Sequence, residues 1–200
     1  MNKMMLVVGA ATLAAASVAN ADTFFNEGDF VGAINGDYYH STFDAFSYGD
    51  PIAEPYVAPG ANGYGWTATS LLGLGLWWND GALSLNNATD SLVITFTGAP
   101  VTAFGGNFTA GDINGFVIPG TVTVDLSNGE SYDLVDPNGS SFFGWTGSEA
   151  ITSITISADA GLTNAWPALD NFYVGQALPA PGALALLGLA GLAGRRRRAC

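Results

Sequence analysis

Apolar and polar side chains alternate with a period of two along much of the chain. Leu92, Ile94 and Phe96 alternate with Val93, Thr95 and Thr97. Val122, Val124 and Leu126 alternate with Thr121, Thr123 and Asp125. Each run presents one apolar face, the signature of a half-buried strand rather than a helix. Asn128-Gly129 follows the second run and accepts the positive φ values of a tight turn, which predicts a β-hairpin over residues 120–135. Further strands are predicted over residues 101–108, 142–146, 150–157 and 169–174, separated by clusters of Gly, Pro, Asn and Asp. Short strands punctuated in this way predict an all-β domain, an antiparallel β-sandwich or jelly roll. Residues 50–65 carry Pro51, Pro55 and Pro59 with Gly60, Gly63 and Gly65, and are expected to form a long surface excursion. Residues 70–81, rich in Leu and Trp, are expected to resume as strand.

Two apolar stretches fall outside this pattern, one at each end of the 200 residues. Residues 1–21 hold Lys3, an apolar run over residues 4–16, and then Ala19-Asn20-Ala21. Small residues at Ala19 and Ala21 after a short apolar run predict a signal peptide cleaved after Ala21. At the other end, Leu178-Pro179-Ala180-Pro181-Gly182 precedes the apolar residues 183–194 and then Arg195, Arg196, Arg197 and Arg198. Taken from residue 177, the apolar segment has just the length to cross a hydrocarbon core as a short transmembrane helix, at roughly 27 Å. The arginines then hold its far end in the cytoplasm and leave the body outside. The chain thus divides into a signal peptide (1–21), a β-sandwich domain (22–176) and a C-terminal sorting segment (177–200).

This order of proline signature, short apolar helix and terminal Arg cluster, on a chain with a signal peptide, resembles the PEP-CTERM tail of exported bacterial proteins. Pro179-Ala180-Pro181 stands where that family has Pro-Glu-Pro. The resemblance implies processing by an exosortase-like enzyme and transient anchoring in the membrane through the C-terminal helix. The destination is then the cell envelope, the outer surface or the extracellular matrix. Residues 88–175 also resemble the bodies of such proteins in the order of their segments, among them SLVITF, AFGGNF, SFFGW, ITSITIS and ALDNFYVG. That similarity implies a shared fold without a shared activity.

Charge narrows the choice of partner. All 17 acids lie between residues 22 and 178, and none of the five Lys and Arg does. Such a body cannot neutralise phosphate, so it is no nucleic-acid binder, and an anionic membrane surface repels it. The 24 Phe, Tyr and Trp side chains supply enough apolar area for a folded core despite this charge. Cys200 is the sole cysteine, which excludes an intramolecular disulfide or a cysteine-ligated metal.

Catalysis lacks its usual groups. His40 is the one histidine, set among Tyr38, Tyr39 and Ser41, and the body has no Lys for a Schiff base and no Arg to clamp an anion. Glu27, Glu54, Glu130 and Glu149 are isolated in sequence, although a carboxylate pair of the glycosidase kind can be assembled by folding. The expectation is a non-enzymatic protein with no certain cofactor. Two alternatives stand behind an interaction or structural role: a carbohydrate-binding module for exopolysaccharide, and then a secreted glycosidase.

Structural calcium is the cofactor the acids suggest, since hard cations take oxygen ligands. Asp112-Ile113-Asn114-Gly115 and Asp136-Pro137-Asn138-Gly139 have the spacing, which is also that of ordinary turns. Asp44 and Asp170 lie in segments that resemble the first and last strands of jelly-roll carbohydrate-binding modules; the resemblance implies a shared calcium between them, against plain solvated acids. Trp77 and Trp78 are the candidate ligand contacts. Neighbouring side chains in a strand face opposite ways, so both cannot enter the core. One is either an exposed plane on which a sugar ring stacks, or is covered by residues 50–65. The same holds for Tyr38 and Tyr39.

Overall fold

The computed structural model describes residues 21–44, 51–79, 81–161 and 163–179. The predicted signal peptide, apart from Ala21, and the tail beyond Pro179, including Pro181 and the four arginines, lie outside the described residues. Among the described residues, no helix is long and apolar enough to cross a membrane.

The domain is a sandwich of two antiparallel sheets. In the larger sheet the strands run in the order β1 (Asp22–Phe24), β12 (Phe142–Ile151), β9 (Val101–Gly111), β14 (Trp166–Gly175), β7 (Ala82–Leu85), β6 (Leu76–Asn79) and β3 (Pro51–Ile52), with β2 (Tyr39–Ser41) also paired to β14. The smaller sheet runs β11 (Ser131–Val135), β10 (Thr121–Leu126), β13 (Ser153–Asp159), β8 (Leu92–Gly98), β5 (Tyr64–Ser70) and β4 (Tyr56–Val57).

The core between the sheets follows from the alternation. Phe104, Phe108, Phe143, Trp145, Leu169 and Phe172 of the larger sheet meet Trp66, Leu92, Ile94, Val122, Val124, Ile154 and Ile156 of the smaller. The hairpin β10/β11 forms as expected, with Asp125 opposite Ser131 and Gly129 at φ +92°. The strand predicted at 101–108 runs on to Gly111, and the one predicted at 150–157 is divided between the end of β12 and the start of β13.

Three features depart from the expectation. First, a short helix α1 (Glu27–Ala33) packs on the outer face of the larger sheet, capped by Asn26, whose Oδ1 accepts from the Asp29 N–H at 3.1 Å. Its Phe30 joins Ile34, Ala103, Phe142 and Tyr173 in a second, smaller core. Gly105 and Gly144 make this seat, because a Cβ at either would meet the Phe30 ring at 3.0 Å or less.

Second, within residues 70–81, Ser70 ends β5 and strand resumes only over Leu76–Asn79. The preceding Leu71, Leu72 and Leu74 are exposed on a turn that polar groups hold. Ser70 Oγ accepts from the N–H groups of Leu74 (2.7 Å) and Gly75 (3.1 Å), and buried Asp90 accepts from Leu72 N–H at 2.9 Å. Backbone satisfaction there outweighs the apolar composition. Third, residues 50–65 contribute edge strands β3 and β4 and bury Ala58, so this segment is partly structural rather than wholly an excursion.

Strand β14 sets the polarity of the molecule. Its first residue, Trp166, pairs with Gly111 at the end of β9, and its last, Gly175, pairs with Ala103 near the start of β9. The chain then leaves beside α1, where Leu178 N–H donates to Ala33 O and Ala177 N–H to Thr102 Oγ1, both at 2.9 Å. Trp166 is therefore about 30 Å from the exit, at ~3.3 Å per strand residue.

Candidate ligand site

Strand pairing settles the two adjacent tryptophans. Trp78 lies opposite Leu83 and is 3% exposed in the main core, so Trp77, opposite Ser84, projects from the other face of the larger sheet. Trp77 remains half-buried and lines a pocket of about 150 Å³. The same pocket is lined by Trp166, Ser84, Asn86, Asp112 and Ile113. Trp166 arrives through β14, which pairs with β7, and Asp112 follows β9 directly; both are distant from Trp77 in sequence.

The polar side chains of the pocket are held from behind. Ser84 Oγ donates to Pro167 O at 2.9 Å. Asn86 Nδ2 donates to Leu74 O at 3.3 Å, while its N–H donates to Gly75 O at 2.9 Å. Asp112 Oδ1 accepts from the N–H groups of Asn114 (2.8 Å) and Phe116 (3.0 Å), which fixes the loop. The Asp112-Ile113-Asn114-Gly115 sequence thus forms a hydrogen-bonded turn, closed by Gly115 at φ +84°. Asp136 Oδ1 instead accepts from Gly120 N–H at 2.9 Å, sixteen residues back, and Asn138 Oδ1 accepts the local turn bond from Ser140 N–H at 3.1 Å.

Tyr39 enters the core, whereas Tyr38 stays half-buried. Tyr39 is buried edge-on to Trp66 with centroids 6.0 Å apart, and Tyr38 packs on Tyr173 at 5.6 Å. His40 lies flat on Tyr173, 4.0 Å between centroids and 11° between planes, with Nε2 2.7 Å from Asn171 Oδ1.

Asp44 and Asp170 come together at the end of the molecule's β2/β14 pair, close enough for their charges to interact. Burial pushes the Asp170 carboxyl above its ordinary range; the Asn171 N–H, donating at 2.5 Å, opposes this, and the charge of Asp44 adds to it. Asn171 takes φ +50° at a bulge in β14. Among the described residues, no group of three or more His, Cys, Asp or Glu able to hold a metal occurs.

Three of the four glutamates serve the fold. Glu27 accepts from the Tyr173 hydroxyl, Glu54 from Ser70 N–H, and Glu130 Oε2 from both Tyr132 OH and Trp145 Nε1 at 2.7 Å. Burial first, then the bond and charge of Glu130, push the Tyr132 hydroxyl up to about 12.

Fold and pocket together define an all-β, two-sheet protein with a tryptophan-lined site at one end. No protein-family model matches the chain, and no curated protein matches it. Among solved structures, a mutant of a family 29 carbohydrate-binding module, determined with cellulohexaose, is similar at a TM-score of 0.36 and 10% identity, covering 72% of this chain and 94% of that one.

Proposed function

We propose that this is an exported, non-enzymatic β-sandwich that binds saccharide at the pocket of Trp77 and Trp166. The observation that carries the reading is the convergence of two half-buried indoles with Asp112, Asn86 and Ser84 on one small pocket. Indole faces take the C–H face of a pyranose, and the polar groups take its hydroxyls. Binding rather than hydrolysis is favoured because Asp112 is the one carboxylate among the described residues lining the pocket, whereas glycosidases need two. His40 and three of the glutamates are engaged elsewhere.

Export and sorting complete the proposal. Cleavage after Ala21 would leave β1 whole, since that strand starts at Asp22. A tail held by an exosortase-like enzyme and the membrane would leave the chain at the end opposite Trp166, so the pocket would face away from the anchor. A structural calcium between Asp44 and Asp170 is proposed on the charge of Asp44 acting on the part-buried Asp170. The test of the binding reading is a glycan array probed with the body (residues 22–178). Saccharide capture lost in Trp77→Ala and Trp166→Ala supports it, and capture indifferent to both, or absent, overturns it.

A further inference from the structure

We infer that the pocket selects saccharides carrying a free, protonated amine, such as a de-N-acetylated hexosamine chain, over neutral and acidic ones. This rests on the saccharide-binding reading and specifies its ligand. The argument begins with what the pocket can offer. The hydroxyl proton of Ser84 is committed to Pro167 O, and one Nδ2 proton of Asn86 to Leu74 O. Those two protons are thus turned toward the protein, while the carboxylate of Asp112 and the amide oxygen of Asn86 are acceptors. A ligand that donates complements these acceptors, and an ammonium group donates three hydrogen bonds.

Charge and aromaticity point the same way. Trp77 and Trp166 line the pocket beside the carboxylate of Asp112. Indole faces attract cations through their quadrupole, Trp most strongly of the aromatic side chains. The loop bonds to Oδ1 hold Asp112 in place, so little side-chain freedom is lost when Oδ2 pairs with the amine. The body between residues 22 and 178 has no Lys or Arg, so a uronate or sulfate would meet only repulsion. N-acetylation removes both the charge and two of the donors, which makes the acetyl group the natural discriminator.

The experiment is isothermal titration of the body with hexamers of glucosamine, N-acetylglucosamine and glucose, and with a polygalacturonate oligomer. It is repeated in Trp77→Ala, in Asp112→Asn, and in Glu149→Gln, an equal charge change on an exposed residue toward the other end of β12. The expected result is glucosamine hexamer bound about tenfold more tightly than the acetylated form, within reach of a partly desolvated cation on indole. Asp112→Asn should erase most of that preference, Glu149→Gln should leave it, and Trp77→Ala should abolish binding of every hexamer. Equal binding of the three hexamers, with Asp112→Asn silent, overturns the amine inference and leaves saccharide binding standing. Loss of preference in Glu149→Gln to the same extent assigns the effect to bulk charge and also overturns it. Binding of no saccharide by the wild-type body overturns both.

Discussion

Phe30 lies over Gly144 so closely that a Cβ on that glycine would stand 2.5 Å from Cδ2 of the ring. The contact fixes α1 on the outer face of the larger sheet, and through Tyr173 it braces the strand that leads to the chain exit. Gly144→Ala should therefore destabilise by about 1–3 kcal/mol, the cost of overpacking a filled site. Thermal unfolding of the single variants and of Phe30→Ala/Gly144→Ala checks this. The double variant should lose much less than the sum of the singles, because the clash disappears with the ring.

Trp77 and Trp78 should separate binding from stability. Trp78→Ala empties a site that is 3% exposed and should cost ~3–5 kcal/mol. Trp77→Ala removes a half-buried ring from the pocket and should cost under about 1 kcal/mol while abolishing saccharide binding. Denaturant titration beside a binding assay distinguishes the two.

Asp170 should report the acid pair through pH. Its folded-state proton affinity is raised above the unfolded value, so the ionised carboxylate opposes folding at neutral pH. That penalty is complete above the folded pKa and disappears as pH falls below the unfolded value, near 3.9. In calcium-free buffer, Asp170→Asn should raise the melting temperature at pH 7 by about 2 °C or more, on a scale of ~2–4 °C per kcal/mol, and the gain should vanish at pH 3. Millimolar calcium should raise the wild-type melting temperature and leave Asp170→Asn unmoved, since a ligand of the folded state stabilises it by mass action.

The sorting proposal predicts a mature protein that begins at Asp22 and has lost residues 183–200. Intact mass of the exported chain decides it, and a retained tail identifies a simple membrane tether instead. Replacing Pro179 and Pro181 with alanine should leave the uncleaved form in the membrane fraction, and deleting Arg195–Arg198 should release or misorient it.

How far the sequence could be read depended on how local each cause was. The hairpin β10/β11 was legible because alternation and an Asn-Gly turn are both short-range signals. α1 was not, because its seven residues hold two glycines and bury only Phe30, and its seat is made by Gly105 and Gly144 far along the chain. The leucine-rich 71–74 turn was misread as strand because its determinants are polar: Ser70 and the distant Asp90. In the site, strand parity told that Trp77 and Trp78 face opposite ways, and only the packing of Trp78 in the core assigns Trp77 to the outer face. Trp166 and Asp112 were not assigned to it, since only the pairing of β14 with β7 and β9 brings them to Trp77. Asp44 and Asp170 were named from a resemblance rather than from spacing or periodicity.

The most direct measurement uses the five tryptophans, 66, 77, 78, 145 and 166, as their own reporters. A ¹H–¹⁵N correlation spectrum resolves their indole N–H signals, assigned through single Trp→Phe variants. Titration with the saccharide captured on the array should shift the signals of Trp77 and Trp166 saturably and together, and leave those of buried Trp66, Trp78 and Trp145 in place. Saccharide that moves neither Trp77 nor Trp166, or that moves only the buried three, would contradict the pocket as the binding site.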